Sequence, residues 1–383
     1  MRLRRLSVLL LIIFAVISIK SPDVLQLLGT KVKLLPMALS VYDIDADAEV
    51  RSTDEFHTIM LDAIREIKDD VKVRIVKYDE KAYNVDSVFK SILAENVGLG
   101  FVSGCNATFT RALGREWADV ELRLQYPYPK DKIISMRAET DSKANEIIKN
   151  IIKPGMSDYE KVLAIHDQVI KSSRYDRLNA EAGTVPPEEH EAYGVLVKGI
   201  GVCDSYAKAV KLLLEKVGVQ CILVEGSKVG DDGPSLAGAD HAWNIVKLDG
   251  EYYHVDATWD DVSEEKDSTE LIYHHFNLND EEMQKTHIWD KEKYPTCTGT
   301  KYNYFKYNKL IANNQAEVLS MLVKAVSNRE NRLLVKIADY KSSEYNIERL
   351  IKKATEKSRR SQSIGAKWII NDSLGIVDIE FEY

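Results

Sequence analysis

Asp249-Gly250 constrains the fold of this chain more than any other pair of residues. The dipeptide separates two runs rich in β-formers, one from His241 to Leu248 and one from Glu251 to Val255. Asp-Gly between such runs signals a hairpin closed by a two-residue turn. Folding the runs about that turn sets Lys247 opposite Tyr252, Ile245 opposite His254, Trp243 opposite Asp256 and His241 opposite Thr258. His241 and Asp256 become diagonal neighbours on one face of the ribbon, about 7 Å apart along the backbone. Their side chains can then meet in a hydrogen bond.

A third residue belongs with these two. Gly199-Ile200-Gly201-Val202-Cys203-Asp204-Ser205-Tyr206-Ala207 leads into a helical pattern over 205–217, with Tyr206, Val210, Leu213 or Leu214, and Val217 on one face and Gly218 as the stop. Gly201 breaks the chain just before Cys203, so the thiol is expected at the helix start. Unpaired N–H groups and the helix dipole favour a thiolate there. A lone cysteine is ordinarily a small buried hydrophobe, and a lone His or Asp on a strand is ordinarily a satisfied polar residue. Thiol, imidazole and carboxylate together supply a nucleophile, a base and a group that holds the base.

These segments carry a resemblance. Ala192-Tyr193-Gly194 through Gly201-Val202-Cys203, then His241-Ala242-Trp243-Asn244, then Tyr252 through Asp256-Ala257-Thr258-Trp259, resemble the transglutaminase-like superfamily in order and spacing. The resemblance covers about 141–295, under half the chain. It implies a papain-like core and a Cys-His-Asp triad, with Cys203 as nucleophile, His241 as base and then acid, and Asp256 as the orienting carboxylate. The group includes protein cross-linking enzymes, peptide N-glycanase-like amidases and many bacterial proteins of the kyphoscoliosis-peptidase type. Members often have Gly two residues after the cysteine, where this chain has Ser205; a side chain that small is expected to disturb little.

Charge developing on a carbonyl oxygen needs aligned donors. The Cys203 backbone N–H is one candidate. Tyr193 is the candidate for the second, with an aromatic core residue as its alternative reading. Trp243 and Trp259 read as walls of the site and core packing, and Trp243 shares the face of His241 and can limit water. No metal or organic cofactor is called for: the Cys and His spacings fit no zinc pattern, His274-His275 and His287 included. His166, on a helix opened by the capping box Ser157-Asp158-Tyr159-Glu160, reads as structural. Residues 227–240, rich in glycine, read as a surface loop beside the base.

Arg2, Arg4 and Arg5 precede an unbroken apolar run from Leu6 to Ile19 that ends at Lys20. This is the pattern of an export signal. Fourteen helical residues span about 21 Å, short of the ~30 Å hydrocarbon core. No clean cleavage site follows, so a secreted and an N-terminally anchored form both fit. The net charge of −8 becomes −12 without Arg2, Arg4, Arg5 and Lys20, which argues against nucleic acid as a partner. Four cysteines in a chain this long make no disulfide framework. Cys221 lies in a buried-strand pattern, and a Cys105–Cys297 pair is left open.

The sequence also repeats. Val71-Lys72-Val73-Arg74-Ile75-Val76-Lys77-Tyr78 matches Leu333-Leu334-Val335-Lys336-Ile337-Ala338-Asp339-Tyr340, and each leads at the same spacing to Tyr83-Asn84-Val85 or Tyr345-Asn346-Ile347. Both surroundings read helix, strand, helix, strand, strand. Asn371-Asp372-Ser373 makes a short last turn where the first copy has a longer connection through Ala107 to Arg115. Either one unit occurs twice or two α+β units agree by chance. The expected organisation is α+β: a leader at 1–20, a linker at 21–50, a module at 53–127, a papain-like, transglutaminase-like catalytic domain at 141–305, and a second module at 315–383. The expected activity is exported thiol chemistry hydrolysing amide bonds in a protein, a peptide or a surface polymer. Transamidation and a non-catalytic binding module are the alternatives.

Overall fold

The computed structural model describes residues 46–111, 114–229, 240–261, 271–358 and 364–383. The leader at 1–20, most of the 21–50 linker and most of the 227–240 loop lie outside the described residues.

The N-terminal module contains β1 (Ala48–Val50), α1 (Thr53–Glu66), β2 (Asp70–Ile75), α2 (Val85–Glu95), β3 (Gly104–Thr110) and β4 (Ala118–Gln125). Its sheet has the order β1-β2-β4-β3, with β1 parallel to β2 and the other pairs antiparallel. Alternation along β2 turns Val71, Val73 and Ile75 inward onto Phe56, Met60 and Ile64 of α1. Thr108, Phe109 and Thr110 continue the β3–β4 ladder as far as Thr110 opposite Asp119. The connection expected from Ala107 therefore begins only after Thr110. β-branched and aromatic residues favour the pleated pairing that extends it.

A long helix, α3 (Lys130–Ile151), leads into the central domain. It runs straight through position 141, so the boundary expected there falls inside a helix; the true punctuation is Pro127-Tyr128-Pro129. Next come α4 (Asp158–Ser172), the short parallel pair β5 (Arg174–Tyr175) and β6 (Ile200–Gly201), and α5 (Cys203–Lys216). α4 opens on the expected capping box: Ser157 Oγ accepts from Glu160 N–H, and Glu160 accepts from Ser157 N–H at 2.7 Å. The sheet is antiparallel, ordered β10 (Phe276–Leu278), β9 (Glu251–Val255), β8 (His241–Leu248), β7 (Cys221–Lys228), β11 (His287–Trp289). Val162, Ile165 and Val169 of α4 pack with Tyr206, Val210 and Leu213 of α5 and with Val246, Leu248 and Val255 of the sheet. The hairpin has the expected register, Ile245 opposite His254 and Lys247 opposite Tyr252. Asp249 (φ 50°) and Gly250 (φ 86°) both take the positive dihedrals that a type I′ turn demands.

The C-terminal module contains β12 (Ile311–Ala312), α6 (Gln315–Asn328), β13 (Arg332–Ile337), α7 (Ile347–Lys357), β14 (Gly365–Asn371) and β15 (Ile376–Glu382). Its sheet order, β12-β13-β15-β14, follows the same path as the N-terminal one. Local detail agrees at a constant offset of 262 positions. Ser52 and Asn314 cap the first helix, Ile67 and Arg329 end it in the left-handed region, and Asn84 and Asn346 cap the second helix. Tyr78 lies against Tyr83 as Tyr340 does against Tyr345. Each sheet also takes a strand, β1 or β12, from ahead of the expected boundary. Strands of two or three residues carry too little pattern to be read.

The two modules attach differently. Leu334, Leu374 and Ile376 of the C-terminal module pack on Trp243, Ile245 and Trp289 of the central sheet. The N-terminal module docks on α3, where Ile67 and Phe101 meet Ile133 and Met136, and the Arg137 guanidinium donates to the carbonyls of Ile64, Leu99 and Gly100. All four cysteines are free, and Cys105 and Cys297 lie in separate cores. No helix among the described residues is long and apolar enough to cross a membrane.

Candidate active site

Cys203 is the first residue of α5, after Val202 in extended conformation, and Val202 supplies no side-chain cap. Its sulfur therefore sits at the positive end of the helix dipole, where Asp204 Oδ1 already takes the Ser205 N–H at 2.9 Å. Ser205, expected to disturb little, fits its place and makes two hydrogen bonds there. Ser205 Oγ donates to the Glu191 carbonyl at 2.6 Å and accepts from Val195 N–H at 3.2 Å, tying the first turn of α5 to the segment before it. The room comes from Gly201, where a Cβ would lie 2.6 Å from that hydroxyl. A second tie is Asn244 Nδ2, which donates from β8 to the Ala207 carbonyl at 3.0 Å and fixes helix against strand.

His241 Nε2 lies 2.6 Å from Asp256 Oδ2. The other ring nitrogen is left for the Cys203 side chain, which interacts with the imidazole. Burial opposes a charged imidazole, but the charge and hydrogen bond of Asp256, with the interaction of Cys203, raise His241 above its ordinary value. Burial pushes the Asp256 carboxyl up, and His241 and His287 more than reverse this, holding it well below the carboxylate range. Asp256 Oδ1 takes the backbone N–H groups of Thr258 at 2.9 Å and Trp259 at 3.1 Å. The carboxylate is thus fixed by four donors and has little freedom to turn.

The fourth donor is His287, which the sequence reading dismissed. Its Nε2 lies 3.0 Å from Asp256 Oδ2 and its Nδ1 lies 2.8 Å from Thr286 Oγ1. Burial outweighs the attraction of Asp256 and pulls His287 down to about 4, so it is neutral at pH 7. A neutral ring that donates to Asp256 must accept from the threonine hydroxyl. Only the strand pairing of β11 with β7 brings it here, 31 residues from Asp256.

Trp243 is buried and stacks on His241, ring centroids 5.8 Å apart at 23°. Its Nε1–H donates to His254 Nδ1 at 3.0 Å, and His254 Nε2 in turn lies 2.8 Å from Asp280. Trp243 thus backs the imidazole from within the core. Trp259 lies on another side, 5.9 Å from His241 and 4.3 Å from His287. Tyr193 needs correction as an oxyanion donor. Its hydroxyl is committed to Glu139 of α3 at 3.1 Å and its ring packs edge-on against Phe101, so it joins α3 to the N-terminal module. Tyr175 is the tyrosine near the thiol. Burial and then the charge of Cys203 push its hydroxyl up to about 12. It reaches that position because β5 pairs with β6 directly ahead of Cys203, Tyr175 opposite Gly201.

Two groupings have the residue types of metal sites, His241 with Asp256 and His287, and His254 with Asp280 and Cys297. In the first, both rings donate to one carboxylate oxygen, at 2.6 and 3.0 Å. In the second, His254 Nδ1 accepts from Trp243, so the proton sits on Nε2 and faces Asp280. Each grouping is organised around protons.

A thiol at a helix start beside a carboxylate-held imidazole is the arrangement of thiol-dependent acyl-transfer proteins. Residues 145–257 match the family model of the transglutaminase-like superfamily, whose members are generally peptidases or transglutaminases. Kyphoscoliosis peptidase of Mus musculus is 32% identical over 122 residues, covering 30% of this chain and 18% of the mouse protein. Its Homo sapiens counterpart is 29% identical over 139 residues, 34% of this chain and 20% of that protein. The chain therefore spans about a fifth of the length of these relatives. A solved structure described as a TGase is 13% identical, covers 55% of this chain and 59% of its own, and has a TM-score of 0.27, a likeness too low to carry an argument.

Proposed function

We propose that this chain is an exported cysteine enzyme that hydrolyses amide bonds of proteins or peptides at the cell surface through Cys203, His241 and Asp256. The single observation that carries the reading is the 2.6 Å His241–Asp256 hydrogen bond with the ring's other nitrogen left to a thiol at a helix start. The central domain is read as papain-like, with the thiol on α5, the imidazole at the start of β8 and the carboxylate just past the end of β9. The name of the kyphoscoliosis peptidases supports hydrolysis over transamidation.

Cys203 attacks the amide carbonyl as thiolate while His241 holds the proton. His241 then passes that proton to the leaving amine, and a thioester remains on Cys203. Water, deprotonated by His241, cleaves the thioester and restores the thiol. The Cys203 backbone N–H and the Tyr175 hydroxyl take the negative charge on the carbonyl oxygen. The flanking modules are read as two copies of one unit that position the substrate. Export rests on the Arg2 to Lys20 pattern.

The test is iodoacetamide alkylation followed across pH by peptide mass. Cys203 is expected to be alkylated far faster than the other three thiols at neutral pH, and to lose this in His241→Ala. Burial raises the other thiols, Cys105 to about 11 and Cys221 to about 12, so they should stay slow. A Cys203 alkylated no faster than Cys105, or equally fast in His241→Ala, would sink the reading. Surface extracts incubated with wild type or Cys203→Ala and an added primary amine then separate the chemistries. New peptide termini indicate hydrolysis, and incorporated amine indicates transamidation.

A further inference from the structure

The carboxylate nearest Cys203 along the chain has no part in the triad. Asp204 follows the nucleophile directly, in the first turn of α5. An acid suits a helix N-terminus, and Asp204 Oδ1 accepts from the Ser205 N–H at 2.9 Å. The same dipole favours a thiolate at Cys203. A bare carboxylate one residue on competes for that field and repels a negative sulfur. The helix start therefore serves the thiol well only when the charge of Asp204 is covered.

A group that covers it is present. His190 closes the 3₁₀ turn Pro187–His190, and its Nδ1 lies 2.9 Å from Asp204 Oδ2. The other charges facing this ring are Lys208 and Glu191. Lys208 donates to the His190 carbonyl at 2.7 Å and is paired with Glu191 at 3.1 Å. The hydrogen bond and charge of Asp204, with Glu191, raise His190 above its ordinary value against burial and Lys208, so the ring is charged at pH 6. Asp204 is also within electrostatic reach of the site. Burial first, then the charges of Cys203 and Asp204, push the Tyr175 hydroxyl up.

We propose that His190 is a positioning residue for the nucleophile: by covering the Asp204 carboxylate it leaves the N-terminal field of α5 to the Cys203 thiolate. Its work differs from that of His241, which takes the thiol proton; His190 acts through Asp204. As pH rises and the ring loses its proton, Asp204 stands uncovered beside the sulfur. The His190 and Asp204 side chains are 46% and 31% exposed, so water and salt screen the pair and its effect is modest. The proposal rests on the reading of Cys203 as a thiolate nucleophile and names a group that supports that state.

The test follows iodoacetamide alkylation of Cys203 across pH in the full chain, by peptide mass. At the pH where wild type reacts at half its plateau rate, His190→Gln should react about twofold to fivefold slower. Adding Asp204→Asn, whose amide oxygen can still accept the Ser205 N–H, should bring the double variant back to within about twofold of wild type. Rescue by removing the charge is a result that a merely packing role for His190 would not give. Asp204→Asn alone should react at least as fast as wild type, which keeps the test valid if His190→Gln fails to fold. His190→Gln at the wild-type rate, a double variant as slow as His190→Gln, or a slowed Asp204→Asn overturns the proposal. A wild-type Cys203 no faster than Cys105 would instead break the reading of the thiol itself, so the two failures are told apart.

Discussion

Asp256 and Asp260 stand one helical turn apart, both fully buried and both held by two histidines. Asp256 binds His241 and His287 through their ring nitrogens at 2.6 and 3.0 Å. Asp260 takes His166 Nε2 at 3.2 Å and the backbone N–H of His275 at 2.9 Å. Neighbouring imidazoles hold both carboxyls below the carboxylate range, against the upward push of burial. The second histidine of each set reaches Thr286, whose hydroxyl lies 2.8 Å from His287 and 3.4 Å from His275. The difference is what the first imidazole faces. His241 has a thiol on its other side, whereas His166 has Asp167 at 3.2 Å and rests on the ring of Tyr273. A His–Asp pair is therefore no catalytic signature by itself; the thiol beside His241 is what sets the first pair apart from the second.

The sharpest way to break this comparison is to neutralise each carboxylate in turn. Asp256→Asn should lower kcat/KM by about 10³–10⁴-fold, because an amide favours the wrong imidazole tautomer. Thermal denaturation should show the domain still folded. Asp260→Asn should do the reverse. Losing one partner of a buried charged pair costs about 3–5 kcal/mol of stability, while turnover per folded molecule should stay within about tenfold. Denaturant melts beside single-turnover rates would separate the two. An inactive but fully stable Asp260→Asn would mean that the second set also belongs to the chemistry.

His287 gives a smaller effect. As a neutral donor to a carboxylate its hydrogen bond is worth about 1.5–3 kcal/mol, so His287→Phe should cost roughly 10–100-fold in kcat with KM little changed. His287→Gln keeps a donor and should recover part of the loss. Equal losses in both variants would point to packing against Trp259 instead of the hydrogen bond.

The sequence made one of these two sets legible and left the other obscure, and the reason is distance along the chain. His241 and Asp256 lie on one hairpin, whose Asp249-Gly250 turn fixes register, and the diagonal follows by counting. Cys203 was legible through the Gly201 break and the helical stripe after it. His287 and His275 arrive by separate strands, and Asp260 meets His166 from 94 residues away. No local period records such meetings. Tyr175 was missed for a related reason, since a two-residue parallel pair leaves no pattern, and Tyr193 was favoured only for lying in a motif. The flanking sheets were legible as helices and strands because one pattern occurs in both. Their docking was not, because it depends on which faces the central domain leaves uncovered.

The smallest effect is a pH dependence that belongs to the structural set. Burial pulls His166 down, but Asp167 and Asp260 reverse this and raise it to about 9. An unfolded chain would hold it near 6.5. Between those values the folded state binds more protons than the unfolded one, so stability must fall as pH rises. The contribution is fully present below about pH 6.5 and disappears as pH passes through about 9. The loss between pH 6.5 and 8 should be about 1–2 kcal/mol, read as a falling denaturant midpoint. His287, lowered to about 4, works in the opposite sense at lower pH: the unfolded state takes up the proton first, so stability falls as pH drops from about 6.5 towards 4. The two contributions thus act in opposite directions on either side of about pH 6.5. His166→Gln should be less stable at pH 6.5 yet flatter between 6.5 and 8. An unchanged slope in that variant would mean that His166 is neutral in the folded protein and that Asp260 is held by His275 and the backbone alone.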